Sequence, residues 1–330
     1  MLKKSPSNNS LRATFVVLTI GLFGCGNQAA STSFTQTTTR IDENLPQVVA
    51  TTSVLCNLTR QIAENTINLI CLVPPGTDPQ IYRPITEDRQ AIEQANLILY
   101  SGYNFEPGLI KIIKETQNPA PKIAVGQLAV PQPQQYQESG KKLTNPYIWH
   151  DAKNAISMVE LISNHLGKLA PTNATIYSSN AKAIKNELTQ LDSWIKSRIA
   201  SIPANQRKLV TTSDALGYYS KAYGIALAGG LTDISHDKKP TNAQFQNWVK
   251  NIQQAQVPTI FPKTTTNPQL IQSVAREANV KVSQRQLYTN GFGEAGSDGD
   301  TYQKMMVANT RTIVEGLGGT YLMFAPKVAQ

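Results

Sequence analysis

Along residues 171–201, apolar side chains recur at Tyr177, Ala181, Ile184, Leu188, Leu191, Ile195 and Ile199. The steps are four or three residues throughout, the repeat of a single buried stripe on an α-helix. At 1.5 Å per residue this segment predicts one helix about 45 Å long, against a mean of about 11–12 residues for helices generally. A helix of that length outruns the strand that any crossover inside one α/β sheet has to match. It predicts a chain of two bodies with the helix running between them.

Strand and helix signals alternate on both sides of it. Residues 46–53 (PQVVATTS) contain a β-branched run and read as a buried strand, 55–65 as a helix, and 67–73 as a second strand that stops at Pro74-Pro75-Gly76. Residues 86–96 read as a helix with Thr86 as its N-cap, 97–100 as a third strand and 122–125 as a fourth, before a Pro/Gln-rich loop at 131–144. Strand, helix, strand at this spacing means βαβ units with right-handed crossovers and a parallel sheet. After Pro203 the alternation resumes: 208–212, 214–223, 224–227, 242–254, 259–261, 268–279, 280–282 and 301–317. The expected fold class is α/β, with two lobes, each a parallel sheet flanked by helices, bridged by one long backbone helix. The expected boundaries are 46–170 for the first lobe, 171–201 for the helix and 202–330 for the second lobe.

The first 45 residues are of another kind. Lys3, Lys4 and Arg12 precede an uncharged run at 13–24. As a helix that run spans about 18 Å, short of the roughly 30 Å of a bilayer core. A basic region followed by a short apolar one reads as a secretory signal peptide over 1–24. The run ends Leu22-Phe23-Gly24-Cys25, which resembles the cleavage box of bacterial lipoproteins; Cys25 is then the lipidated first residue of the mature chain. Residues 25–45, rich in Ser, Thr and Gln, read as a flexible tether from the lipid to the folded body. The expected location is the periplasmic or cell-surface side of a membrane. In that oxidising compartment Cys56 and Cys71 are either a disulfide or two buried thiols, and the sequence leaves both open.

Composition narrows the function classes. The excess of 31 Lys+Arg over 22 Asp+Glu gives a formal charge of +9, but no basic cluster with interleaved aromatics marks a nucleic-acid surface. Three cysteines exclude a disulfide scaffold, and Cys and His show no zinc-ribbon spacing. No GKS or GKT loop supports phosphate binding. Ser213-Asp214 with His150 has the residue types of a hydrolase but no GxSxG elbow. Ser297-Asp298-Gly299-Asp300 lacks the spaced oxygens and closing Glu of a calcium loop, and reads as a loop before the last helix. The chain is not expected to be an enzyme.

Five stretches together resemble the solute-binding proteins of bacterial zinc and manganese ABC importers, the cluster A-I family: PPGTDPQIYRP (74–84), NPYIWHDAKNA (145–155), TTSDALGYYSKAYG (211–224), FPKTTTNPQLIQSVAREANVKV (261–282) and LYTNGFGEAGSDGDTYQKMM (287–306). The resemblance covers roughly 46–322, in the family's order. It implies two α/β lobes bridged by a long helix, a monomer, and an ABC permease as partner.

The resemblance also implies a Mn²⁺ or Zn²⁺ ion between the lobes, held by His, His, Glu or His, and Asp. Imidazole nitrogens and carboxylates suit these ions. Matched position by position, the ligands are replaced. Gln80 follows Asp78-Pro79, Tyr147 follows Asn145-Pro146, Ser213 stands five positions before Tyr218, and Asn290 follows Tyr288-Thr289. Lys263 occupies a place in FPKTTTNP where the family usually carries glutamate, and 131–144 holds none of the histidines that many zinc members carry there. Neutral oxygens do not offset the cost of desolvating a dication, so the expected metal site is degenerate. Asp78, His150, Asp151 and Asp214 lie within four residues of the replaced positions, as substitutes or as supporting and capping groups. His165 reads as a surface helix residue and His236 as a loop residue.

Two readings follow. In one, the chain is a tethered binding protein whose cleft, with Gln80, Tyr147, Ser213 and Asn290, takes a polar organic solute or a chelated metal. In the other, the same scaffold serves as an interaction or adhesin-like protein without transport.

Overall fold

A computed structural model describes residues 42–138, 141–212, 214–230, 240–263 and 267–327. The expected signal peptide, Cys25, most of the tether, Ser213 and His236 lie outside these residues.

The first half builds β1 (Gln47–Ala50), α1 (Ser53–Ala63), β2 (Asn68–Cys71), α2 (Thr86–Gln94), β3 (Leu97–Tyr100), α3 (Pro107–Glu115), β4 (Lys122–Ala124) and α4 (Val125–Ala129). The strands are all parallel, in the order β2-β1-β3-β4. Successive residues of a strand point to opposite faces, and both faces here are apolar. Val48, Ala50, Leu97 and Leu99 join one core, while Val49 and Ile98 join another beneath α2 and α3. A sheet covered on both sides needs the near-continuous apolar runs that the sequence carries.

Three local expectations are corrected. Thr86 is the first helical residue of α2 rather than its cap: Ile85 holds the cap position, and the Asp88 carboxylate accepts its N–H at 2.9 Å. The fourth strand stops at Ala124, because Val125 already opens α4. Residues 131–144 are not simply a loop. They form an antiparallel hairpin, β5 (Gln135–Glu138) and β6 (Lys141–Thr144), with Tyr136 opposite Leu143. Asn145 N–H donates to the Gln134 carbonyl at 2.8 Å, and Gln134 N–H to the Tyr218 hydroxyl at 2.9 Å, which fixes the base of the hairpin. Cys56 and Cys71 form a disulfide with Cα atoms 5.6 Å apart, tying α1 to β2.

Two packed helices follow. The first, α5 (Ala152–Leu169), carries His165 on a half-buried rather than freely exposed flank. The second, α6 (Ala174–Ala200), is the long helix, 27 residues or about 40 Å. Its apolar buried positions are the seven of the expected stripe, joined by Asp192, whose carboxylate pairs with Lys196 at 2.6 Å. The helix starts three residues later than the sequence suggests, because Pro171–Asn173 form a 3-10 turn.

The second half contains β7 (Lys208–Thr211), α7 (Gly217–Tyr223), β8 (Ala226–Gly230), α8 (Asn242–Ala255), β9 (Thr259–Ile260), α9 (Pro268–Ala278), β10 (Lys281–Val282) and α10 (Tyr302–Gly316). The pairs β7–β8 and β9–β10 are both parallel. Phe261 N–H donates to the Val210 carbonyl at 3.0 Å and joins the two pairs edge to edge. Asn267 caps α9 with its side-chain oxygen, 3.0 Å from Gln269 N and 3.2 Å from Leu270 N. Asn267→Ala is expected to cost about 1 kcal/mol in urea denaturation; an unchanged midpoint would show that water serves these amides as well. One core runs from β1 and α1 through α5 and α6 to Phe261 and α10, so the same apolar mass underlies both lobes.

Candidate functional site

The segments expected to carry the site converge where the loop after β2 meets the loop before α10. Gly76, at φ +80°, makes the turn and donates its N–H to the Phe292 carbonyl at 2.9 Å. Two residues on, Asp78 ties both loops together. One of its carboxylate oxygens accepts Gln80 N–H at 3.0 Å, and the other accepts the Asn290 side-chain amide at 2.5 Å. Asn290 Oδ1 is buried with no hydrogen-bond partner among the described residues. The void left between these loops is about 20 Å³, room for about one water.

Tyr147 stands beside this pair. It is 8% exposed, and its hydroxyl donates to Gln80 Oε1 at 3.0 Å. Its ring packs edge-on to Phe105 and Trp149, with centroids 5.3 and 5.6 Å away. The structure therefore brings Gln80, Tyr147, Asp78 and Asn290 together. Asp214 opens a 3-10 turn after β7, and Ser213 lies outside the described residues. Lys263, half-buried, donates its backbone N–H to Thr212 Oγ1 at 2.9 Å.

His150 and Asp151 take supporting positions. His150 is fully buried, and its Nε2 lies 2.9 Å from the Thr289 carbonyl. A carbonyl only accepts, so Nε2 carries the proton and Nδ1 keeps a bare lone pair, buried without a partner among the described residues. Burial pushes the imidazole pKa down to about 4, so the ring is neutral near pH 7. Asp151 caps α5, accepting Lys153 N–H at 2.9 Å, and burial raises its pKa.

One buried group escapes the sequence reading. Glu106, fully buried, stands at the N-cap position of α3, and its side chain accepts instead from Thr51 Oγ1 at 2.7 Å and Ser101 N–H at 2.6 Å. Its other oxygen finds no partner among the described residues, and burial pushes its pKa up to about 7. The available signal was its place directly before Pro107, at a helix start. Chemically the assembled groups are amide, phenol and one committed carboxylate. Among the described residues no group of three or more His, Cys, Asp or Glu comes together.

Comparison with known proteins places this geometry. A family model described as zinc-uptake complex component A, periplasmic, matches residues 48–316. The metal ABC transporter substrate-binding lipoprotein SsaB of Streptococcus sanguinis is 30% identical over 90% of this chain and 94% of its own length. The manganese ABC transporter substrate-binding lipoprotein PsaA of Streptococcus pneumoniae is 30% identical over 93% and 98%. Among solved structures, the periplasmic zinc-binding protein TroA of Treponema pallidum matches with a TM-score of 0.75 and 27% identity, covering 83% of this chain and 99% of that one. A Cd-bound periplasmic metal-binding protein of Candidatus Liberibacter asiaticus, at 23% identity and a TM-score of 0.71, shares the fold. Two lobes, a long bridging helix and relatives matched along nearly their whole length leave one assignment: the chain belongs to the periplasmic zinc-uptake component A family, the solute-binding proteins of metal ABC transporters.

Proposed function

We propose that this chain is the extracytoplasmic binding protein of an ABC importer whose cargo is not a bare Mn²⁺ or Zn²⁺ ion. The observation that carries the reading is the pairing at three of the four family ligand positions, Gln80, Tyr147 and Asn290. Tyr147 is spent on Gln80, and Asn290 on Asp78; Ser213 adds only a hydroxyl. Where the family presents nitrogen and anionic oxygen to a cation, these positions carry neutral groups, two of them bonded to each other and one to Asp78. A dication placed among them would lose its water for a single carboxylate, Asp78, that already holds Gln80 N–H and the Asn290 amide, and Tyr147 would have to give up its phenolic proton. The same groups suit a ligand that exchanges hydrogen bonds, whether a polar organic solute or a metal already held by a chelator.

In this reading Cys25 bears the lipid and 25–45 forms the tether. Lobes 46–170 and 202–330 close on the solute, with helix 171–201 between them, and the monomer docks on a permease. His150 holds the Thr289 carbonyl and so sets the position of the neighbouring Asn290.

The test is titration calorimetry of chelator-stripped protein with Mn²⁺ and with Zn²⁺, beside a Tyr147→Phe control. The expected dissociation constants are weaker than about 1 μM, the −8 kcal/mol mark. Submicromolar 1:1 binding that disappears in Tyr147→Phe would overturn the proposal and return the chain to bare-metal import.

A further inference from the structure

We infer that the N-terminal lobe carries an additional binding site, adjoining the family positions and sharing Gln80 with them, for a small organic acid built on a hydroxylated ring. The inference rests on the proposal above only in giving a cargo class to a protein whose cleft does not hold bare metal.

A cavity of about 650 Å³ opens at the carboxyl ends of β3 and β4, reaching Gln80 beyond β2. That end of a parallel sheet is where ligands of α/β folds sit, and the volume lies within the roughly 300–1,000 Å³ of small-molecule sites. Its far wall is the hairpin of β5 and β6, through Tyr136 and Lys142. The hairpin base is held by Tyr218 from the other half of the chain, so the wall is tied to both lobes.

The lining is chemically one-sided. Lys114 and Lys142 supply two positive charges, and among the described residues that line it there is no Asp, Glu, His or Cys. Such a concave surface attracts an anion. Tyr100, Tyr103 and Tyr136 bring aromatic faces against which a ring packs, and the amides of Gln80, Asn104 and Gln127 bring donors and acceptors for ring hydroxyls.

The backbone gives a separate reason to regard the cavity as built. Gly102, Tyr103 and Asn104 follow β3 with φ of +82°, +52° and +56°. Three successive left-handed residues, two of them not glycine, are costly and persist where surrounding structure imposes them. One such contact is present, the Tyr103 hydroxyl donating to the Val130 carbonyl, and the close Gln127 side chain leaves no room for a Cβ at Gly102, which would meet it at 2.7 Å. The strained turn puts Tyr103 and Asn104 on the cavity wall.

The test titrates chelator-stripped full chain with D-glucuronate and with 3,4-dihydroxybenzoate, using D-glucose and catechol as uncharged counterparts. These arms separate a sugar acid from an aromatic acid. The expected result is saturable 1:1 binding of at least one acid, with its uncharged counterpart at least about tenfold weaker. A Lys114→Gln/Lys142→Gln variant with an unchanged circular dichroism spectrum is expected to lose at least about tenfold in acid affinity. Silence with both acids, or equal binding of acid and neutral ring, overturns the inference. So does acid binding that the double variant leaves unchanged. The Mn²⁺ titration separates the two claims: tight metal binding together with acid binding removes the proposed function and leaves this site, whereas silence in both arms does the reverse.

Discussion

The stability gap between a Glu106→Gln variant and the parent is expected to widen by about 3 kcal/mol, in the variant's favour, between roughly pH 4 and pH 8. Burial raises the Glu106 carboxyl from 4.5 to about 7, so the folded chain holds a proton there that the unfolded chain has already released. The stability this group contributes is complete below pH 4.5 and is lost as pH rises through about 7. Glutamine keeps an oxygen for Thr51 and Ser101 and does not titrate. His150 runs the other way. Its pKa falls from 6.5 to about 4 on folding, so its contribution is present above pH 6.5 and lost as pH falls through about 4. Between pH 4.5 and 6.5 the two slopes oppose and the pair together is nearly flat. In Glu106→Gln the histidine's slope stands alone, and stability rises with pH over that window. Urea denaturation at half-unit pH intervals checks this; a gap that stays constant with pH would show that Glu106 titrates alike in the folded and unfolded chain.

Removing the disulfide has an effect of similar size. A Cys56→Ser/Cys71→Ser variant is expected to lose about 3 kcal/mol, because the bond closes a loop with a sequence separation of 15 and constrains the unfolded chain by that much. It holds α1 against β2, the edge strand of the four-stranded sheet. The Arg60 guanidinium lies across it, with Nη2 3.3 Å from Cys56 Sγ and 3.4 Å from Cys71 Sγ. Urea midpoints with and without dithiothreitol check the prediction. The parent should fall to the level of the variant, and the variant should ignore the reductant. A parent midpoint indifferent to dithiothreitol would sink it.

What the sequence discloses follows from where the determining contacts lie. The stripe from Tyr177 to Ile199 was legible because helix burial depends on residues three and four apart. The strands around Val48 and Ile98 were legible because both faces of the sheet are apolar. The hairpin was not, since Gln, Lys and Tyr carry no apolar alternation and its geometry depends on Tyr218, far away in the chain. Cys56 and Cys71 pair only because β2 folds back along α1, which composition does not reveal. Motif spacing singled out Gln80, Tyr147 and Asn290, which the structure places close together. The way they answer each other through Asp78 is tertiary, and so is the burial that neutralises His150 and protonates Glu106. Neither titration has a local signature beyond the helix start at Pro107.

Trp149 has a practical consequence. It is one of three tryptophans and only 2% exposed, with its ring 5.6 Å from that of Tyr147, 5.0 Å from Phe105 and 5.5 Å from His150. The other two sit elsewhere: Trp194 donates to the Leu322 carbonyl at 3.0 Å on the flank of α6, and Trp248 belongs to the core under α8 and α9. A Trp194→Phe/Trp248→Phe background leaves a single tryptophan, one aromatic ring away from the hydroxyl that faces Gln80. Occupancy at that spot, a change in its hydrogen bonding or the charging of His150 would each alter the emission of one known indole, so the protein carries its own optical reporter without an added dye.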